Sequence, residues 1–105
     1  MPRDTYVKKS RIHGRGVFAR HPIARGQFLG AYQGRRARRN GRYVLWIHGN
    51  NGDSLGIRGT GSLRYVNHSR RPNAVFRGPH LFSLRRIAAG EEITVHYGSD
   101  WDDVE

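Results

Sequence analysis

The chain contains no cysteine, which excludes disulfide scaffolds, thiolate-held zinc and cysteine nucleophiles together. Acidic residues are scarce: 8 Asp plus Glu stand against 19 Lys plus Arg, a net charge of +11 with histidine neutral. Long apolar runs are missing as well. The longest, Tyr43–Ile47, falls far short of the ~20 residues that span a bilayer. The first twenty residues hold no apolar core of a secretion signal. A soluble, intracellular protein with no membrane partner is therefore expected. At 105 residues, one small domain burying roughly 65% of its unfolded surface is expected, because two independent cores would not fit.

What is present is unevenly placed. Residues 1–89 carry all 19 basic groups against Asp4 and Asp53 alone, a balance of +17. Residues 90–105 carry six acids and no base, a balance of −6. A positive body of this kind steers phosphate backbones or acidic proteins toward itself. With 17 of the 19 basic residues being Arg, codon bias accounts for the same excess. The acidic end reads first as a solvated tail, ahead of a binding groove.

No window of eleven residues or more repeats its apolar positions every 3.6 residues, so few helices are expected, all of them short. Short β-type runs recur instead: Thr5–Lys8, Val17–Arg20, Gln27–Tyr32, Tyr43–His48, Leu55–Arg58, Asn73–Phe76, Leu81–Ile87 and Ile93–His96. Asn40-Gly41 and Asn51-Gly52 are hairpin dipeptides, and Gly26 and Gly90 close short loops. These signals predict a mostly β domain of short strands with irregular links.

Common chemistries find no support. His13, His21, His48, His68, His80 and His96 are scattered, none at the spacing of a helical metal site, so no metal is expected. Ser69 and Ser83 lack a nucleophile-elbow sequence. The glycines form neither a GxGxxG nor a Walker loop. Three other segments acquire meaning together: His13-Gly14-Arg15-Gly16-Val17-Phe18; Arg64-Tyr65-Val66-Asn67-His68-Ser69 with Pro72-Asn73; and Gly90-Glu91-Glu92-Ile93-Thr94-Val95-His96-Tyr97-Gly98.

In order and separation these segments resemble the SET-domain protein lysine methyltransferases, whose members carry GxGVF, RFxNHSxxPN and GEEITxxYG. The resemblance covers about residues 5–98, and a single SET domain over 1–105 is expected. It implies several small β-sheets, few short helices and a C-terminal pseudoknot that brings the NHS segment and the last tyrosine to one site. It also implies S-adenosylmethionine as co-substrate on one face and a substrate lysine entering from the other.

Residue by residue, the resemblance gives Arg15 and Gly16 the methionine end of the cofactor, where a Cβ at position 16 would clash. Asn67 and His68 would hold the adenine and position the sulfonium. Ser69 and Asn73 would support that turn with buried hydrogen bonds. Tyr97 is the expected catalytic residue and a cofactor neighbour, its hydroxyl accepting weak CH···O contacts from the transferring methyl. Tyr43 and Phe76 match positions lining the lysine channel. Phe76 falls where the family carries Phe or Tyr, a choice linked to how many methyls are added.

The pattern is also broken in places. No cysteine-rich zinc cluster follows Tyr97-Gly98, which leaves Trp101 to cover the adenine or cap the channel, or a second copy to complete the site as a homodimer. The central insert shrinks to about 47–62, and 99–105 forms an acidic tail. The acidic residue often found near the strand at Tyr32 is replaced by Ala31 and Arg35. Leu55–Arg58 is an edge on which an extended substrate peptide would add a strand. The acids near the end suit a basic peptide, and the Arg-rich surface suits nucleic acid. A histone or histone-like DNA-binding protein is thus the expected substrate class. The alternative is a non-catalytic SET-fold module that binds a peptide or nucleic acid. A purely basic nucleic-acid domain is disfavoured because Arg35–Arg42 contains no aromatic residue.

Overall fold

The computed structural model describes residues 4–48, 52 and 54–96. Strands make up 51% of it and helix 4%, in keeping with an apolar pattern that never reaches helical period. The strands are β1 (Thr5–Lys9), β2 (Arg15–Ala19), β3 (Phe28–Ala31), β4 (Gly34–Ala37), β5 (Val44–His48), β6 (Ser54–Gly59), β7 (Asn67–His68), β8 (Ala74–Arg77), β9 (His80–Ser83) and β10 (Glu92–Val95). One 3-10 turn covers Ser62–Tyr65.

They form three small sheets, ordered β1-β2-β10-β7, β3-β9-β8 and β4-β6-β5. Each of the eight runs expected from sequence overlaps a strand. β4 and β7 were not expected, the first because Gly-Arg-Arg-Ala has no β-type composition, the second because it is two residues long. The run expected over Leu81–Ile87 stops at Ser83, and Ile87 instead makes an isolated bridge to Ile23. Asn40-Gly41 is not a hairpin turn: the strands either side of it both pair with β6 rather than with each other.

A further expectation is corrected by β6. It is the central strand of its sheet, paired with β4 along one edge and β5 along the other. Leu55–Arg58 therefore has no free edge to offer a substrate peptide. Within 47–62, Ser54–Gly59 form β6 and Ser62 opens the 3-10 turn.

The core runs between the sheets. Val17, Ile23, Leu81, Ile87 and Ile93 are completely shielded, and Leu29, Leu63, Ala74 and Val95 join them. β2 and β10 carry buried residues in succession rather than alternately, since both faces of these inner strands are covered.

Position 10 in the strand sequence sits between the second and the seventh. β10 runs antiparallel to β2 (Ile93↔Val17) and parallel to β7 (Thr94↔Asn67, Val95↔His68). The segment after β7 then wraps it. Ser69 N–H donates to the Val95 carbonyl at 2.9 Å. Asn73 completes the clasp: its Nδ2 donates to the Glu92 carbonyl and its Oδ1 accepts from Thr94 N–H, both at 2.8 Å. Asn73 is 2% exposed, so a buried amide side chain here substitutes for a missing ladder partner. This is the pseudoknot expected from the motifs.

Candidate active site

The inner position of β10 brings the three sequence motifs to one place. Glu92, at its start, points its carboxylate at the loop before β2. Ser10 Oγ approaches both oxygens, 2.8 Å from Oε1 and 2.9 Å from Oε2. Asn67 Nδ2 lies 2.8 Å from Oε2 and 3.1 Å from the carbonyls of His13 and Arg15. One amide with two hydrogens thus serves three acceptors and ties the glycine loop, the Asn-His segment and the Glu-Glu segment together.

Gly16 completes this arrangement. A Cβ there would stand 2.3 Å from Glu92 Oε2, 2.9 Å from its Cδ and 3.1 Å from Ser10 Cβ. The sequence resemblance gives a cofactor as the reason for glycine at 16; the fold supplies a nearer one, the Glu92 carboxylate. Gly14 differs. Its φ of +47° lies where glycine is favoured, and a Cβ would meet nothing within 4 Å. Beside it opens a pocket of about 630 Å³ lined by Val7, Lys8, Lys9, Gly14 and Arg15.

The expected site residues are placed as follows. Arg15 borders the pocket, and its guanidinium lies 5.9 Å from the Tyr65 ring centroid. Asn67 is buried, its amide nitrogen committed to the glycine loop and Glu92 and its backbone, in β7, in register with Thr94. His68 pairs in register with Val95, and its ring centroid is 4.7 Å from that of His96. Tyr97 and Trp101 lie outside the described residues.

Tyr43 and Phe76 are linked through a residue that the sequence reading passed over, Tyr32. The Tyr32 ring meets Phe76 edge-on at 5.6 Å, and its hydroxyl donates to the Tyr43 carbonyl at 2.5 Å. Gly59 N–H donates to the same carbonyl at 2.8 Å. Tyr43 has φ +65°, the only positive value on a non-glycine among the described residues. Such a backbone persists where its surroundings over-determine it, and here two donors fix one carbonyl. The Tyr43 ring in turn meets Tyr65 edge-on at 5.6 Å, with the Arg64 guanidinium 4.2 Å from the Tyr65 centroid. Tyr32, Tyr43, Tyr65 and Phe76 form one aromatic group. Tyr65 was legible in the sequence, two residues before Asn67 where the motif carries an aromatic; Tyr32 carried no signal of its own.

A family model described as SET domain matches residues 14–98. The chain belongs to the SET-domain family. It is 30% identical to the histone-lysine N-methyltransferase trithorax of Drosophila virilis, over 92% of this chain and 3% of that protein. It is also 30% identical to human histone-lysine N-methyltransferase 2B, over 87% of this chain and 4% of that protein. The chain thus spans only a few per cent of these relatives' length. Among solved structures, it superposes on the methyltransferase domain of human PR domain-containing protein 2 with a TM-score of 0.73 and 25% identity, covering 95% of this chain and 81% of that one. For the Cryptosporidium SET8 protein the TM-score is 0.74 at 28% identity, covering 90% and 57%.

Among the described residues no group of three His, Asp or Glu is arranged to hold a metal ion. Among these residues no helix is long and apolar enough to cross a membrane.

Proposed function

We propose that this SET domain is a protein-lysine N-methyltransferase that uses S-adenosylmethionine. The observation that carries the proposal is the Asn67 amide, bonded at once to the His13 and Arg15 carbonyls and to Glu92, which joins the three family motifs beside an open pocket.

The residues fit the co-substrate. The pocket beside Gly14 is an open depression that adjoins the glycine loop. Lys8, Lys9 and Arg15 on its wall suit the carboxylate of the methionine moiety, and the bare backbone at Gly14 allows close approach. Arg15, Gly16, Asn67, His68, Tyr97 and Trp101 are the proposed holding residues. When bound, S-adenosylmethionine supplies a methyl group on a sulfonium, which an amine can displace in line with sulfur.

The chain's own task is to present a neutral amine along that line. A free lysine has a pKa near 10.4, so at neutral pH the ammonium must lose its proton first. The aromatic group of Tyr32, Tyr43, Tyr65 and Phe76 is the proposed channel wall. It disfavours the charged amine by desolvation. Alignment then does most of the rest, since a near-attack pose removes several kcal/mol of barrier. The hydroxyl of Tyr97 is the proposed group that orients the methyl. No acid–base pair is required at the reacting carbon.

The substrate class we propose is a lysine in a basic, histone-like protein, met by the acids Asp100, Asp102, Asp103 and Glu105; such a target places the work inside the cell. The test is transfer of labelled methyl from S-adenosylmethionine to histones and to DNA-binding bacterial proteins, with hydrolysis to free amino acids. Methyl-lysine from the wild type, falling at least about a hundredfold in Tyr97→Phe, is expected. Tight cofactor binding without transfer to any basic protein would favour the non-catalytic peptide-binding module instead.

A further inference from the structure

The outward face of the β4-β6-β5 sheet carries a cluster of exposed arginines. Arg35 stands directly opposite Arg58, and Arg58 directly opposite Val44. The next row on that face is Ala37, Gly56 and Trp46. The opposite face turns Leu45 and Ile57 against the core. Two guanidinium groups facing each other across an antiparallel pair repel. Both are exposed, and neither has a carboxylate partner among the described residues. Residues 34–48 and 54–59 contain no acid at all. Arg38 and Arg39, also exposed, continue the charge into the following loop.

An aromatic ring lies within this basic patch. In sequence, Arg35–Arg42 has none, but the sheet brings Trp46 across from β5. Its indole covers Gly56, where a Cβ would come within 2.8 Å of Cζ3. Its Nε1 donates to Asn40 Oδ1 at 3.1 Å, tying it to the arginine loop. The ring packs over Gly56 and remains half-buried, with part of its surface open to solvent.

We infer that this face binds single-stranded nucleic acid, with phosphates on Arg35, Arg58, Arg38 and Arg39 and a base stacked on Trp46. Cations track a backbone without regard to sequence, and an aromatic platform adds stacking that a duplex cannot supply from its interior. A phosphate between the facing arginines offsets their mutual repulsion. This interaction shares no residue with the proposed methyl-transfer site and stands or falls independently of it.

The test is fluorescence anisotropy of a labelled single strand of about ten nucleotides, titrated between about 50 and 200 mM salt. Saturable binding that weakens steeply with salt is expected. Arg35→Ala with Arg58→Ala should weaken it at least about tenfold and flatten the salt slope by about 1 to 2. Arg25→Ala with Arg77→Ala, an equal charge change elsewhere on the surface, should leave binding within about twofold. In a Trp101→Phe background, the remaining indole emission should quench as the strand binds. An equal loss from both arginine pairs would overturn the proposal in favour of diffuse charge. Unchanged indole emission, or equally tight binding of a duplex, would overturn the single-strand assignment.

Discussion

Asn67 donates to Glu92 at 2.8 Å across 25 residues of sequence, and this contact explains why residues from three motifs share one site. β7 holds Asn67 in register with Thr94, so its side chain reaches the start of β10 and the glycine loop together. Removing the amide takes this donor from two backbone carbonyls and leaves the Glu92 carboxylate with Ser10. Asn67→Ala should lower stability by about 1–3 kcal/mol, the cost of unsatisfied buried groups, and should weaken S-adenosylmethionine binding as the loop loosens. Urea unfolding and a binding titration on the same preparations would check both.

Gly16 and Glu92 should behave as a coupled pair. In Gly16→Ala the added methyl meets the Glu92 carboxylate, and overpacking of this kind costs about 1–3 kcal/mol. Adding Glu92→Ala opens the space, so the double variant should lose less than the two single changes together. A double-mutant cycle on urea midpoints reads the coupling. Strict additivity would mean that the glycine answers to something other than Glu92.

Glu91 gives the fold a pH dependence of definite sign. Burial alone would raise its pKa, but the Ala88 N–H, the Arg85 guanidinium and the Asn73 amide all favour the carboxylate, and together they hold it below its ordinary 4.5. Arg85 Nη2 lies 2.7 Å from Oε2 and Asn73 Nδ2 3.2 Å. A depressed pKa contributes stability that is present above the unfolded value and lost as pH falls through the folded one. Glu91→Gln should therefore be less stable than wild type at neutral pH, with the gap closing below about 4.5. Urea midpoints across that range measure it.

Ile93 is completely shielded at the centre of the β1-β2-β10-β7 sheet. Ile93→Ala should cost about 2–5 kcal/mol. Because the same strand is clasped by Asn73 and Ser69, near-ultraviolet and far-ultraviolet dichroism should melt together rather than in stages.

Much of this was legible in the residues. The apolar alternation that marks strands was visible wherever both partners of a ladder were apolar, and the motif order located the glycine loop, the Asn-His segment and the last strand. What escaped was long-range. β4 is polar and exists because β6 pairs with it. Tyr32 joins Tyr43 to Phe76 through a hydroxyl-to-carbonyl bond spanning eleven residues, which no local pattern signals. Glu92 looked like one member of an acidic pair, yet it occupies the space beside Gly16. Trp46 enters the arginine surface only through strand pairing.

The central claim is that the glycine loop, the Asn-His segment and the pocket beside Gly14 form a single S-adenosylmethionine site. The direct measurement is a titration of the isotopically labelled protein with S-adenosylmethionine, followed by backbone amide shifts. Saturable shifts concentrated at Lys8, Gly14, Arg15, Gly16, Asn67 and His68, with β4 and β5 unmoved, are predicted. Absence of saturable shifts, or a response confined to another face, would contradict the account.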